Sequence, residues 1–99
     1  MTEEQKIAVH EIAAHYGIKS QEQVAIEECA ELIQAITKSN RRVQNAKEFV
    51  ERLGDIAGEI ADVLIMCEQL AYLYGIEEIV KEQIEFKITR QMNRMRKGE

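Results

Sequence analysis

The chain has no proline, no tryptophan, only five glycines and only two cysteines among its 99 residues. Without proline there is no forced helix break, and few glycines leave few sites for irregular turns. Two cysteines, Cys29 and Cys67, lack the count and spacing for a disulfide framework or a zinc cluster, and both sit in helical stripes, where they read as buried core thiols. Aromatic residues make up 5% of the chain, too few for a platform that stacks single-stranded nucleic acid. The net charge of −5 argues against a nucleic-acid or membrane-surface binder. No apolar run approaches the ~20 residues that cross a bilayer, and no signal-peptide pattern opens the sequence. A cytoplasmic protein is expected, with no nucleic-acid partner and no membrane partner.

What is present reads as one all-α domain over residues 1–99, with 45% hydrophobic and 31% charged residues in helical periodicity throughout. Thr2 and Gln5 have capping-box spacing for a first helix that ends at Gly17, with Ile7, Ile12, Ala13 and Tyr16 as its buried face. His10 and His15 on it are five apart, not the i, i+4 spacing of a metal-binding pair, and read as surface or partly buried residues. Ser20 caps a second helix that runs to about Lys38. A loop over 39–45 carries Arg41 and Arg42, solvated arginines unless the loop folds over a phosphate site.

Asn45, with Glu48 three residues on, caps a third helix that continues to Tyr74. At 1.5 Å per residue it is roughly 43 Å long, against an expected radius of gyration of about 13 Å for the whole domain. Such a helix either bends near Gly54 and Gly58 or projects against another subunit, and close helix packing or a kink would explain the two glycines. Ile76 starts the last helix. Its residues Ile79, Val80, Ile84, Ile88, Met92 and Met95 recur at intervals of three or four and read as a core stripe. Lys87, Arg90 and Arg94 share another face, read either as a basic last turn suited to the helix dipole or as a clamp for phosphates.

The chemistry-bearing pattern lies between Glu27 and Leu70. Glu28 and Glu31 are three apart in the second helix, and Glu59 and Asp62 are three apart in the third. Each pair falls within about 60° on one helix face. Val24, Cys29, Leu32, Ile33 and Ile36 form the core stripe beside the first pair, and Ile56, Ile60, Val63, Leu64 and Cys67 that beside the second. Carboxylates beside a core repel one another and resist ionisation. A hard divalent cation such as Mg²⁺ or Mn²⁺ removes that cost. A single pair in an acidic helix is ordinarily a solvated face; two pairs at the edges of two apolar stripes favour a shared site. Glu51 and Asp55 continue the acidic row at one-turn spacing, as an extension of that site or as solvated residues suited to the helix dipole.

Glu27-Glu28-Cys29-Ala30-Glu31 followed by Glu59-Ile60-Ala61-Asp62 resembles the EExxE…ExxD signature of the MazG-like nucleoside triphosphate pyrophosphohydrolases, an all-α family. The resemblance spans Ser20 to about Arg94, and Val63-Leu64-Ile65-Met66 and Lys87-Ile88-Thr89-Arg90 fit it. It implies a four-helix, antiparallel bundle-like protomer that assembles as a dimer or a dimer of dimers. It further implies Mg²⁺-dependent cleavage of a nucleoside triphosphate between the α and β phosphates, giving a monophosphate and pyrophosphate. Carried over by position, Glu28, Glu31, Glu59 and Asp62 become the metal-binding and catalytic carboxylates. Lys87 and Arg90 match the basic, phosphate-facing positions less firmly.

Three other readings compete. A non-enzymatic helical module that dimerises or binds a partner protein would leave the carboxylates solvated. A di-iron carboxylate bundle needs Glu-x-x-His on two helices, and neither Glu28 nor Glu59 has a histidine three residues on. A phosphoribosyl-ATP or dUTP pyrophosphatase would share the metal motif and differ in its substrate pocket.

Overall fold

A computed structural model describes residues 1–41 and 43–98. They form four helices, α1 Glu3–Tyr16, α2 Ile18–Ser39, α3 Ala46–Tyr74 and α4 Glu77–Arg96, with no strand among the described residues. None of these helices is long and apolar enough to cross a membrane.

The helix ends follow local chemistry. The Thr2–Gln5 capping box forms, with Gln5 N–H donating to Thr2 Oγ1 at 3.1 Å and Thr2 N–H to Gln5 Oε1 at 2.9 Å. Asn45 Oδ1 accepts from Glu48 N–H at 2.9 Å and opens α3. Gly75, at φ 67°, closes α3 in the left-handed conformation that suits glycine. Ser20 is not the cap expected of it. The whole α1–α2 link is Gly17, whose φ of 86° is open to glycine and strained for other residues. Its N–H donates to Ala13 O at 2.8 Å, and its carbonyl already accepts from Gln21 N–H at 3.0 Å. The turn therefore needs no loop, and α2 starts at Ile18, ahead of Ser20.

The packing centres on the α2–α3 hairpin. Tyr74 O–H, at the end of α3, donates to Glu22 Oε2 near the start of α2 at 2.6 Å, so the two helices run antiparallel. Helix α1 lies mainly along α3. There Gln69 is the largest fully buried side chain, and its Nε2 donates to the Val9 carbonyl at 3.0 Å. The buried hydrophobic residues are Val9, Ala13, Ala25, Met66 and Ala71, a small set rich in alanine.

Several expected core faces lie outside. Of the α1 face, Ala13 is buried, but Ile7, Ile12 and Tyr16 are exposed because α1 turns Val9 and Ala13 inward. On α2 the inward face runs through Gln21, Ala25, Glu28 and Leu32, which leaves Cys29, Ile33 and Ile36 exposed. Ile60, Leu64 and Cys67 of α3 are exposed as well. Both thiols are free. Partial burial, with Cys29 nearby, pushes the Cys67 thiol up, which disfavours a reactive thiolate. The α4 stripe is not a core stripe of this chain either. Helix α4 packs its backbone only against α3, reaches α1 through the Glu77 side chain, and buries no residue, and Ile79, Ile84, Ile88 and Met95 are all more than half exposed. The radius of gyration is accordingly 16.8 Å, well above the globular expectation.

Helix α3 runs unbroken through Gly54 and Gly58, and a Cβ added at either would meet nothing within 4 Å. Close packing inside this chain therefore does not account for them.

The Gln69 clamp carries a direct consequence. Gln69→Ala should lower unfolding stability by about 1–3 kcal/mol, through the lost bond to Val9 and the cavity left behind. Thermal unfolding would read this as roughly 4–8 °C per kcal/mol. An unchanged melting temperature would show that α1 is not held through this residue.

Candidate metal and phosphate site

The antiparallel hairpin brings the two carboxylate pairs together. Glu28 and Glu59 lie half-buried on the facing stripes of α2 and α3, while Glu31 and Asp62 are exposed at the same level. One carboxylate oxygen each from Glu28, Glu31 and Glu59 falls within a 4.8 Å cluster. Asp62, the fourth residue expected there, lies beside Glu28 but is not among the three whose oxygens converge.

The charges interact both along each helix and across the hairpin. The Glu28 carboxyl is raised above its ordinary 4.5, first by burial, then by the charges of Glu31 and Asp62 and a proton shared with Asp62. Glu59 is raised for parallel reasons: burial first, then Glu31 and Asp62, a proton shared with Glu31, and Asp55. The hydrogen-bonding contacts run across the hairpin, Glu28 with Asp62 and Glu59 with Glu31, while repulsion also runs along each helix. In the ionised state carboxylates only accept hydrogen bonds, so these contacts are repulsive.

Among the described residues, three shielded side-chain polar atoms have no hydrogen-bond partner: Gln21 Oε1, Glu28 Oε2 and Glu59 Oε2. Two of the three belong to this cluster. An orphaned carboxylate oxygen is costly to bury, and here two point into one group of acids. An oxygen-preferring divalent ion would supply what is missing, and the donor set, all carboxylate oxygen, fits Mg²⁺ or Mn²⁺. Glu28, Glu31, Glu59 and Asp62 are the residues that would hold it.

A groove of about 410 Å³ opens from this cluster toward the α2–α3 loop. Glu31 and Glu59 line one end, and Lys38, Arg41, Glu48 and Arg52 line the other. Arg52 is fixed there, donating through Nη1 to the Arg41 carbonyl at 2.7 Å and through Nη2 to Glu48 Oε1 at 2.6 Å. The loop is thereby tied to α3. Glu51 and Asp55 line the same groove and are exposed. Arg41, which reads as solvated unless the loop folds over a phosphate site, is exposed and lines the groove; Arg42 lies outside the described residues.

Lys87 and Arg90 are not brought to the carboxylates within one chain. Both are exposed on α4, and the Arg90 guanidinium lies 5.6 Å from the centre of the Phe86 ring. The cations that do reach the groove, Lys38 and Arg52, went unnoticed in the sequence. A signal existed: Lys38 is seven residues after Glu31 and Arg52 seven before Glu59, two turns along the same faces.

No protein-family model, no curated protein and no solved structure matches the chain.

The raised carboxyls set a pH dependence. In the folded chain Glu28 and Glu59 hold protons more tightly than in the unfolded chain, so metal-free stability falls as pH rises above about 4.5 through their raised values. Melting temperatures of the metal-free protein should climb as pH drops from 7 toward 5. Glu28→Gln should flatten that slope and stabilise the metal-free chain at pH 7. Mg²⁺ should stabilise wild type at pH 7 and lose its effect on acidification, because protons compete for the same oxygens. A flat pH profile that Mg²⁺ leaves unchanged would contradict the cluster as described.

Proposed function

We propose that the chain is a Mg²⁺-dependent nucleoside triphosphate pyrophosphohydrolase of the MazG-like kind, with Mn²⁺ as an alternative ion. The observation that carries the reading is the pair of shielded, unpartnered oxygens of Glu28 and Glu59 in a three-carboxylate cluster with Glu31, Asp62 close by, at the end of a groove with basic residues at its far end. When bound, the ion neutralises charge on phosphate oxygens and acidifies a coordinated water. Glu28 and Asp62 hold one side of the site and Glu59 the other. Glu31, exposed beside Glu59, would orient a water toward the α phosphate and accept its proton. Lys38 and Arg41 attract the polyphosphate chain into the groove. The bond broken lies between the α and β phosphates, and the products are a monophosphate and pyrophosphate.

A homodimer or homotetramer completes the proposal. A core so rich in alanine is small for 99 residues, and an exposed apolar stripe the length of α4 exceeds what isolated chains carry. In such an assembly Lys87 and Arg90 of one copy would reach the groove of another. Sedimentation at micromolar concentration should give a multiple of the 11.4 kDa chain mass. A concentration-independent monomer would remove both the assembly and the phosphate role of Lys87 and Arg90.

The exposed stripe also favours a second reading, a helical interaction module without catalysis. Pyrophosphate release from standard and modified (deoxy)nucleoside triphosphates separates the two. The enzyme reading expects release with Mg²⁺ or Mn²⁺ and none with EDTA. Glu59→Gln should lower it at least ~100-fold, the scale of single electrostatic groups at a reacting centre, with helix content intact. Wild-type turnover in Glu59→Gln would refute the site. No release across the panel, together with no stabilisation by metal, would leave the interaction module.

A further inference from the structure

A second cluster of metal-ligating groups lies on another face, where three helices meet. His10 comes from α1, Glu68 from α3 and Glu77 from the first turn of α4. His10 Nε2 is 2.8 Å from Glu68 Oε2 and 3.7 Å from Glu77 Oε2. One donor atom from each of the three fits within 4.8 Å. Ligand bonds of about 2.0–2.2 Å place neighbouring donors roughly 2.8–3.6 Å apart, the short end for an octahedral ion and the long end for a tetrahedral one. The two observed distances bracket that span.

Charge points the same way. Two carboxylates face one imidazole, so the group keeps a negative excess even with His10 protonated. Lys6 and Lys81 line the adjoining groove, yet among the described residues no lysine or arginine forms an ion pair with Glu68 or Glu77. A divalent ion with a neutral imidazole brings the group to zero. The imidazole is also pre-oriented: it stacks on Tyr72 with ring centres 4.1 Å apart and planes 8° apart. Glu68 and Glu77 border a groove of about 510 Å³ between α1, α3 and α4, which gives an ion an entry path and room for water ligands.

We infer that His10, Glu68 and Glu77 form a second divalent-metal site, of the borderline Zn²⁺ or Co²⁺ type, that pins α4 to α1 and α3. One nitrogen and two carboxylate oxygens suit such ions better than Mg²⁺, which prefers oxygen alone. The site has a structural task because α4 has so little else to hold it. Glu77 is the α4 residue in the cluster, so an occupied site fixes where that helix leaves the bundle. The inference is independent of the carboxylate cluster on α2 and α3.

The test titrates the metal-free full chain with Zn²⁺ alone at pH 7 and follows the imidazole ring signals by NMR. The chain has two histidines, so His15 serves as the internal control. His10 should shift and saturate while His15 stays in place, and amide exchange in α4 should slow at least about tenfold as the helix is clamped. Glu77→Gln, on a half-exposed first turn that threatens no core, should weaken Zn²⁺ binding at least about tenfold. Glu59→Gln should leave the His10 response unchanged, which separates this site from the other. His10 signals unmoved by millimolar Zn²⁺, or a shift equally strong in Glu77→Gln, would overturn the assignment.

Discussion

Repulsion among Glu28, Glu31, Glu59 and Asp62 is the constraint around which the α2–α3 hairpin is built. These residues sit on or beside the seam that joins the two largest packed surfaces. A chain selected only for stability would place alanine or leucine at Glu28 and Glu59 and gain from burying them. Instead the hairpin holds like charges together through Ala25, Leu32, Val63 and Met66 on either side and through the Tyr74–Glu22 bond at one end. Local conflict of this kind concentrates at functional sites, where stability is given up for chemistry. The orphaned oxygens are its structural trace.

What could be read from the sequence divides along physical lines. Helix ends at Thr2, Asn45 and Gly75 were legible because a cap is decided by residues within four positions of each other. Ser20 misled because a serine followed by glutamine at the right spacing looks like a cap wherever it stands. Gly17 had already turned the chain three residues earlier. The carboxylate pairs were legible because each is local to one helix. Their pairing across helices, Glu28 with Asp62 and Glu31 with Glu59, depends on the hairpin register, which periodicity does not encode. The same holds for His10 and Glu68, 58 positions apart. Spacing along α1 gave no hint of them, since neither ligand partner lies on that helix.

Burial was the weakest inference, and the reason is instructive. Periodicity shows that a helix has an apolar face; it does not show what covers it. On α2 there are two such faces a fraction of a turn apart. The one through Ala25 and Leu32 meets α3, and the one through Ile26, Cys29 and Ile33 meets solvent within this chain. On α4 the only apolar face is uncovered. A reading that assigns every apolar stripe to one core overestimates the core of any chain that keeps a face for something else.

The two clusters also differ in what they ask of the fold. The carboxylate group on α2 and α3 rests on the most extensive packing in the chain, so the backbone that carries its donors is held whether or not an ion is present. Preorganisation of this kind is what the proposed phosphate chemistry would need, because the electrostatic work is done before a substrate arrives. The His10 group spans three helices, one of which has almost no packing of its own. Its donors converge only while α4 keeps its present angle, so ion binding and helix placement are linked: each favours the other by the same free energy. An ion at the first site would, on the proposed reading, act on a phosphate in the groove. An ion at the second would change how the α4 stripe is presented to whatever covers it.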